Sequence, residues 1–508
     1  MTGDFLDLKR NAAETPEAIA LASPAGGALT YSKLDRCLDA LRREAAAAGL
    51  GPGEVAAIVL PSGTDLITAL LAVAGIGAAA PLNPSLTESE FRYFLNRLNP
   101  RMVIVPEGVD SAASAAADAL RIPVLKMCSP GTLISIRQAS SPDTPPVRLT
   151  EAALLLFTSA TTGTPKLVPL TYTNLYALTA REIKILQLSA TDRFLSLMPL
   201  FHMQGLSAAL AQLLCGGTVI STAGFNPTTF IEWLDQFRPT WFTSSPPLNR
   251  SILGLARVHP DVFRRAPLRF IRTAGASPQP EVVRLLEESI GVPVLNGYGL
   301  TETGGVTRNT ADARKDGSVG RTSGLEVAVM DSLGNLVPNG VEGEISVRGG
   351  SVTYGYLDDP EANQASFRDG WFRTGDIGRL DSEDFLFITG RLKEMIDRGG
   401  EKILPQGVEE VLAAHPAVAD AAVFAVAHPT LGEDIAAAIV LREGAFASAL
   451  ELRRFAATRL AAFKVPRRIE FLDKIPRTST GKAQRSLLAE QCRTASSSLL
   501  LKTPSGAD

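Results

Sequence analysis

The chain has 508 residues, of which 45% are hydrophobic and 20% are charged. This composition excludes a disordered or fibrous chain, and the length predicts about three domains or subdomains. Lys and Arg total 50 against 53 for Asp and Glu, so no basic excess indicates a nucleic acid or an anionic membrane as the partner. A small molecule is the expected partner.

The cysteines and the amino-terminal segment indicate a reducing compartment. The four cysteines are far apart and form no CxxC pair, which argues against a disulfide framework or a zinc cluster. The first residues include Asp4 and Asp7 and no continuous apolar run, so they do not resemble a signal peptide. We therefore expect a cytoplasmic protein. The uncharged stretch 66–87 contains Pro81 and Pro84, which predicts a buried helix followed by a strand.

Short apolar runs alternate with amphipathic stretches between residues 29 and 293. This alternation predicts parallel sheets with helices on both faces. The apolar runs lie at 56–60, 102–106, 153–158, 194–199, 268–275 and 292–299. From 316 to 389, short strands separated by tight turns predict an antiparallel sheet or small barrel.

The residues after Gly390 have a third pattern. Helices are predicted near 406–414 and 452–461, and strands at 421–426 and 468–471. Together they predict a small α+β unit that is large enough to move as a body.

The strongest local signal is the segment 158–166, TSATTGTPK, which follows an apolar strand. Its hydroxyls and backbone N–H groups suit a polyanion, and Lys166 adds a positive charge. The Walker A spacing is absent, and a Ser/Thr-rich surface turn is the alternative. The predicted phosphate-binding residues are Thr158, Ser159, Ala160, Thr161, Thr162, Gly163, Thr164 and Lys166.

This loop resembles the phosphate-binding motif of the acyl-adenylate-forming superfamily, which includes acyl-CoA synthetases, firefly luciferase and adenylation domains of nonribosomal peptide synthesis. Further matches follow in family order and cover nearly the whole chain. They are PLFH at 199–202, GASP at 275–278, YGLTE at 298–302, GE at 343–344, YGY at 354–356, WFRTGD at 371–376, GRLKE at 390–394 and PRTSTGK at 476–482.

The resemblance implies an α/β fold combined with an α+β part. A large N-terminal AMP-binding domain, residues 1–390, would contain two αβ sheets and a small β-barrel-like subdomain at 316–390. A hinge at 391–393 would join it to a small mobile α+β C-terminal domain at 394–490, which carries the catalytic lysine. Residues 491–508 would form a flexible tail.

The YGLTE segment places an aromatic ring, a hydroxyl and a carboxylate within five residues at the end of an apolar strand. Ligands of open α/β sheets bind at such ends. The resemblance implies that Tyr298 stacks on adenine, Thr301 contacts phosphate and Glu302 is the magnesium ligand, a role for which one carboxylate beside ATP suffices. Tyr298 alone would suit an ordinary core. The resemblance assigns the same pocket to Gly275, Ala276, Ser277 and Gly299.

Two charged residues are candidates for the ribose. The carboxylate of Asp376 can accept both ribose hydroxyls, although a turn aspartate beside Gly375 is the alternative. Arg391 resembles the family arginine that contacts the ribose or phosphate side of the nucleotide, and a surface salt bridge is its alternative.

Lys482 lies in the small-residue loop TSTGK and is by resemblance the catalytic lysine of adenylation. An ammonium there can orient the acid and offset the charge that accumulates at the α-phosphate. A solvated surface lysine is the alternative. By resemblance, Lys393 lies at the family's hinge position. Gly399 and Gly400 lie in the loop whose backbone comes close to the pantetheine arm of CoA. A plain hairpin would also use these two glycines.

The resemblance implies a reaction in two halves, with ATP, Mg²⁺ and coenzyme A. A carboxylate attacks ATP to give an acyl-adenylate and pyrophosphate, and the CoA thiol then displaces AMP. The alternatives are an acyl-AMP ligase that loads a carrier-protein phosphopantetheine, and a degenerate nucleotide-binding protein. The compact segment 367–376 favours CoA. Retention of Thr301, Glu302, Asp376, Arg391 and Lys482 together argues against degeneracy.

The acid is constrained by the residue that follows Phe201. Amino-acid-activating domains have an Asp there, whereas this chain has His202, so a non-amino acid is expected and His202 is grouped with the catalytic residues. The oxalyl-CoA and short-chain synthetase branch is nearest, on RGGEKI at 398–403 and AAFKVP at 461–466.

Three positions depart from this branch. FHMQG at 201–205 replaces FHVHG, and Gly304-Gly305 replaces a polar group, so a dianionic oxalate would find fewer donors. Ala160 replaces a glycine of the phosphate loop, where a Cβ could re-aim the backbone. The identity of the acid and the oligomeric state stay open.

Overall fold

The computed structural model describes residues 8–128, 132–135, 151–158, 165–275, 280–322, 324–478 and 481–500. Within these residues the chain forms two compact units. The first comprises 8–158, 166–326 and 347–370, and the second comprises 327–346 and 371–500. The domain and hinge boundaries proposed from the sequence stay predictions.

The helices are α1 (Leu8–Glu14), α2 (Tyr31–Ala47), α3 (Thr64–Ala74), α4 (Glu88–Leu98), α5 (Ala112–Ala119), α6 (Tyr172–Leu186), α7 (Met203–Leu214), α8 (Pro227–Phe237), α9 (Pro246–Val258), α10 (Pro260–Arg265), α11 (Pro280–Ile290), α12 (Pro360–Ser366), α13 (Pro405–Ala413), α14 (Ala449–Ala457) and α15 (Arg485–Leu500). Two short 3-10 helices span Leu392–Glu394 and Ala462–Lys464.

The strands are β1 (Ile19–Ala22), β2 (Ala28–Thr30), β3 (Val55–Ile58), β4 (Ala78–Pro81), β5 (Met102–Pro106), β6 (Val124–Cys128), β7 (Thr132–Ser135), β8 (Ala152–Phe157), β9 (Leu167–Thr171), β10 (Arg193–Ser196), β11 (Thr218–Ser221), β12 (Trp241–Ser244), β13 (Phe270–Thr273), β14 (Val294–Leu300), β15 (Gly304–Arg308), β16 (Arg321–Thr322), β17 (Glu326–Met330), β18 (Gly343–Arg348), β19 (Phe367–Arg368), β20 (Trp371–Leu380), β21 (Leu386–Arg391), β22 (Ile396–Arg398), β23 (Glu401–Ile403), β24 (Val418–His428), β25 (Gly432–Leu441) and β26 (Arg468–Phe471).

The first unit contains two largely parallel sheets. A seven-stranded sheet has the order β7-β6-β5-β3-β4-β8-β9, and a nine-stranded sheet has the order β16-β15-β14-β13-β12-β10-β11-β1-β2. Interior strands such as β3 are buried at every position, because helices cover both faces of a parallel sheet. The predicted α/β architecture with two sheets is confirmed.

The uncharged stretch 66–87 forms the buried helix α3 and then the strand β4, as expected. Of the helices that the structure describes, none has both the length and the apolarity needed to cross a bilayer.

The second unit is rich in antiparallel pairs. Strand β20 pairs antiparallel with β21, and β24 forms a long antiparallel ladder with β25. Helices α13 and α14 cover the core formed by β22 to β25, in which Ile403, Val408, Val423 and Leu452 are buried. The predicted small α+β part is confirmed.

The end of the described chain is helical, and the flexibility of the tail from residue 491 stays a prediction. Helix α15 continues through Leu500, beyond the predicted tail boundary at 491. Leu488 and Cys492 lie four residues apart and are both buried against Phe424 and Ile475. This spacing places both side chains on one face of α15, and their burial stabilises the helix. The local sequence pattern does not predict this helix.

Candidate active site

The phosphate loop is closed at its base by its two ends. The amide of Thr158 donates to the carbonyl of Lys166 at 2.9 Å, and the amide of Lys166 donates to Oγ1 of Thr158 at 3.0 Å. These bonds extend the antiparallel pairing of β8 with β9, so Thr158 and Lys166 lie together at the end of two buried strands. The predictions for Ser159, Ala160, Thr161, Thr162, Gly163 and Thr164 lie outside the described residues.

The YGLTE motif forms the tip of the hairpin between β14 and β15. Tyr298 lies opposite Thr307, and Leu300 lies opposite Gly304. A Cβ on Gly299 would lie 2.2 Å from the carbonyl oxygen of Gly304, so only glycine fits at that position. The tight turn therefore brings Thr301 and Glu302 to the end of the β14 strand, next to the buried ring of Tyr298.

Glu302 is held by a neighbouring segment of the first unit. Its side chain is 7% exposed, and its Oε1 accepts a 2.8 Å hydrogen bond from the hydroxyl of Tyr356. The Nζ of Lys166 lies 4.1 Å from the centre of the Tyr356 ring. Tyr356 thus joins the end of the phosphate loop to the predicted magnesium ligand.

The surroundings of Glu302 suit a magnesium ion that also binds phosphate. Among the residues described, Oε2 of Glu302 accepts no hydrogen bond, and no cluster of three or more His, Cys, Asp or Glu side chains could hold a metal by itself. Mg²⁺ beside ATP takes one or two carboxylates, phosphate oxygens and waters. A single buried carboxylate with an open oxygen fits that requirement.

The sequence reasoning assigned no role to Tyr356. The YGY motif was recognised only as a match to the family, because nothing in its local pattern indicates a contact with a residue 54 positions away. Its place in the family order was the one signal available.

The segment that carries His202 lies at the start of α7. His202 precedes the helix and is half-buried, with its ring 4.7 Å from that of Phe201. Two residues later, Nε2 of Gln204 donates to Oγ1 of Thr243 at 3.0 Å and to the carbonyl oxygen of Ser244 at 2.6 Å. Both amide hydrogens of Gln204 are therefore donated within the protein, and its Oε1 is the side-chain atom that can still accept a hydrogen bond.

Gly275 lies beside this amide oxygen. Its φ is +96°, and a Cβ built on it would lie 3.3 Å from Oε1 of Gln204. The structure thus brings two of the predicted pocket segments together, at the start of α7 and at the end of β13. Ala276 and Ser277 lie outside the described residues.

A buried charge cluster, which the sequence analysis missed, lies behind the same hairpin. Glu182 of α6 accepts a 2.9 Å hydrogen bond from Arg308 and lies 3.7 Å from Nε of Arg272. Arg181 donates to the carbonyl of Gly305 and to Oγ of Ser351. We call Arg181, Glu182, Arg272 and Arg308 the Glu182 cluster.

The Glu182 cluster has one carboxylate among three guanidiniums. Burial acts to raise the pKa of Glu182, but Arg272, Arg308 and Arg181 outweigh it and lower the pKa to about 2. Burial lowers the pKa of Arg272 to about 10 against the opposing effect of Glu182. Both residues are therefore charged at neutral pH.

In the second unit, the structure brings together the two predicted ribose residues. Asp376 and Arg391 lie opposite each other on β20 and β21, and their side chains form an ion pair. The Asp376 side chain is buried, whereas Arg391 is partly exposed. Gly375 has a φ of +72°, so a turn-like backbone also precedes the aspartate.

Lys482 lies on a narrow hairpin near the end of the second unit. Its amide donates to Oγ1 of Thr478 at 3.1 Å, and its carbonyl accepts from the amide of Thr478 at 2.8 Å. Arg477 anchors this hairpin because it donates to the carbonyl of Gly481 and to the carboxylate of Asp420 on β24. The lysine therefore projects from a rigid base.

The remaining predicted residues lie in two short connections. Lys393 is exposed within the 3-10 helix Leu392–Glu394. Gly399 and Gly400 have φ values of +62° and +97° and form the turn between β22 and β23. These values are typical of a two-residue hairpin, so the hairpin alternative describes the local structure, and the channel role stays a prediction.

Comparison with known proteins identifies the family. Residues 8–357 match the AMP-binding enzyme family, and residues 407–482 match the AMP-binding enzyme C-terminal domain. The chain belongs to this family.

Individual relatives match over nearly their full length. An oxalate–CoA ligase of Arabidopsis thaliana is 36% identical and covers 95% of this chain and 97% of its own. A sulfoacetate–CoA ligase of Cupriavidus necator is 36% identical, with coverage of 93% and 95%. A feruloyl-CoA synthase of an Amycolatopsis species is 35% identical, with coverage of 93% and 96%.

Solved structures agree with this assignment. ATP-bound MatB from Rhodopseudomonas palustris has a TM-score of 0.88 at 27% identity and covers 97% of this chain and 99% of its own. O-succinylbenzoate coenzyme A synthetase (MenE) from Bacillus subtilis, in complex with ATP and magnesium, has a TM-score of 0.81 at 28% identity, with coverage of 95% and 98%.

The predicted class and activity are confirmed. The chain is an AMP-forming acid–thiol ligase that activates a carboxylic acid as an acyl-adenylate and transfers it to coenzyme A, with ATP and Mg²⁺ as its other requirements.

Proposed function

We propose that this ligase uses one nucleotide site built from Thr158, Lys166, Tyr298, Thr301 and Glu302 of the first unit. The contacts that Lys166 and Glu302 both make with Tyr356 support this proposal, because they bring a cation and a carboxylate of the predicted site to one tyrosine. Asp376 and Arg391 would hold the ribose, and Lys482 would act on the acid.

Each group then has a distinct task in adenylation. Glu302 would hold Mg²⁺, which when bound supplies positive charge to the phosphates. Tyr298 would pack against the base, and Lys166 would bind phosphate oxygens. The Lys482 ammonium would orient the attacking carboxylate and offset charge at the α-phosphorus. Lys393 would be the hinge, and Gly399 with Gly400 would admit the pantetheine arm.

The role of Lys482 can be tested with the two half-reactions. Lys482→Ala should lower carboxylate-dependent pyrophosphate exchange by about 10²-fold or more, since it removes an electrostatic contribution to the transition state. Thiolysis of supplied acyl-AMP by CoA should be nearly unchanged. Lys474→Ala, which removes an exposed lysine on the preceding segment, is the matched control. Equal loss of both half-reactions would contradict this division of roles.

We further propose that the acid carries no second anionic group where it meets Gln204. Both amide hydrogens of Gln204 are used by Thr243 and Ser244, so the side chain offers a carbonyl oxygen beside Gly275. An oxygen acceptor attracts a hydroxyl or N–H group and repels a carboxylate or sulfonate. Among the relatives, the feruloyl-CoA synthase rather than the oxalate–CoA ligase is named for an acid of this kind.

Matched acids test this selectivity. AMP release should be measured with 3-hydroxypropionate against malonate, 4-hydroxybutyrate against succinate, and 4-hydroxybenzoate against terephthalate. The hydroxy acid of the accepted size should be preferred by about tenfold or more in kcat/KM. Gln204→His, which can donate, should reduce that ratio. A preference for the dicarboxylate in the unaltered enzyme would refute the assignment.

A further inference from the structure

We propose that Tyr356 is a positioning residue that reserves one oxygen of Glu302 for the metal and prevents the carboxylate from binding it with both oxygens. This inference rests on the proposed role of Glu302 as the magnesium ligand. The hydroxyl of Tyr356 donates to Oε1 at 2.8 Å, and both side chains are buried.

The segment that carries Tyr356 is fastened on two sides. The amide of Thr353 donates to the backbone carbonyl of Glu302 at 2.8 Å, and its hydroxyl donates to the carbonyl of Pro169 on β9 at 2.6 Å. The amide of Leu357 donates to the carbonyl of Leu167 at 2.9 Å. Tyr356 is thus held between the phosphate-loop strand and the Glu302 turn, so its hydroxyl cannot follow a carboxylate that rotates.

The hydroxyl of Tyr356 is the donor in this contact, because an ionised carboxylate can only accept a hydrogen bond. The single phenolic proton occupies Oε1, which leaves Oε2 for a cation. The cation of Lys166 lies over the ring face and not at the hydroxyl.

Binding through one oxygen has a consequence for metal selectivity. Mg²⁺ is small and demands near-octahedral geometry, whereas Ca²⁺ accepts carboxylates that bind through both oxygens. A carboxylate fixed by Tyr356 therefore favours Mg²⁺. Release of Oε1 would allow both oxygens to approach the metal and would weaken the discrimination against Ca²⁺.

Tyr356→Phe tests the hydroxyl while it keeps the ring under Lys166. We expect the Mg²⁺ concentration that half-saturates pyrophosphate exchange to rise by about tenfold, in line with the loss of a hydrogen bond to a charged group. The ratio of Ca²⁺-supported to Mg²⁺-supported exchange should rise as well. Calorimetric titration with ATP should show a smaller gain in affinity on adding Mg²⁺, which is a readout independent of turnover.

Tyr176→Phe is the matched control, since Tyr176 is 58% exposed on α6 and its loss of a hydroxyl should change none of these values. Unchanged Mg²⁺ half-saturation and unchanged Ca²⁺ discrimination in Tyr356→Phe would overturn the proposal. A variant that merely loses thermal stability, with the same metal dependence, would overturn it too.

A crystal of the unaltered enzyme with ATP and magnesium gives a second test that needs no variant. One Glu302 oxygen on the metal and the other on Tyr356 would support the inference, whereas both oxygens on the metal would contradict it. A metal bound far from Glu302 would instead refute the proposed role of Glu302, so the two failures are distinguishable.

Discussion

Two buried glutamates of the first unit differ in what surrounds them. Glu182 is 2% exposed and lies among Arg181, Arg272 and Arg308. Glu302 is 7% exposed, and the partner of its carboxylate among the described residues is the neutral hydroxyl of Tyr356. Three arginines of the protein surround the first carboxylate, whereas the second meets a neutral hydroxyl among the described residues.

This difference separates a structural carboxylate from a ligand-binding one. A buried charge is costly unless it is paired, so a carboxylate that meets only a neutral donor needs a cation from outside the protein. Glu302 meets that condition at the tip of a hairpin beside the phosphate loop. Glu182 satisfies its charge internally and connects α6, β13 and β15.

The largest expected effect comes from removing the negative charge of Glu302. Glu302→Gln should lower pyrophosphate exchange by about 10² to 10³-fold, because the metal loses its charged protein ligand. The folded state should be nearly as stable, since the amide oxygen can still accept from Tyr356. Thermal unfolding and exchange assays at saturating Mg²⁺ measure the two effects separately.

Glu281→Gln, at an exposed position at the start of α11, is the control for this variant. Full exchange activity in Glu302→Gln would contradict the conclusion that Glu302, unlike Glu182, is a ligand-binding carboxylate. A large loss of stability in that variant would also place Glu302 in the structural class.

The second-largest expected effect is a loss of folding stability when Glu182 is replaced. Glu182→Gln leaves the buried guanidiniums of Arg272 and Arg308 without their carboxylate, and removing one partner of a buried pair costs about 3–5 kcal/mol. Urea denaturation should report that loss, while the folded fraction should keep its dependence on Mg²⁺. A stable variant with an altered Mg²⁺ requirement would show that the Glu182 cluster belongs to the catalytic machinery.

The sequence predicted the sheets and the order of the motifs because their signals are local. Buried runs such as 102–106 coincide with a strand to the residue, and YGLTE reaches a strand end as expected. Asp376 and Arg391 were selected separately by family position, and the antiparallel register of β20 with β21 places them together.

Contacts between distant segments could not be predicted in the same way. Glu182 and Arg308 are separated by 126 positions, and each would pass for an ordinary charged residue of an amphipathic helix or strand. Neither hydrophobic periodicity nor spacing encodes such a pairing. The same holds for α15, where burial of Leu488 and Cys492 depends on the sheet beneath them.

The smallest expected effect is the acid sensitivity that Glu182 gives to the folded protein. The pKa of Glu182 is lowered from 4.5 to about 2, since the combined attraction of its three arginines exceeds the effect of burial. Its contribution to stability is therefore fully present above pH 4.5 and is lost as the pH falls toward 2. In that window the unfolded chain binds up to about one more proton at this site than the folded chain does.

The free energy of unfolding, measured with denaturant between pH 5 and pH 3, should report this difference in bound protons as a slope against pH. In Glu182→Gln the free energy of unfolding should fall less steeply with decreasing pH, by up to about one proton in slope. The exposed carboxylates Asp312, Asp331 and Asp397 also have pKa values lowered by hydrogen bonds, but they are present in both proteins and cancel in the difference. An identical slope in Glu182→Gln and the unaltered enzyme would mean that the three arginines do not hold Glu182 charged, and the contrast with Glu302 would fail.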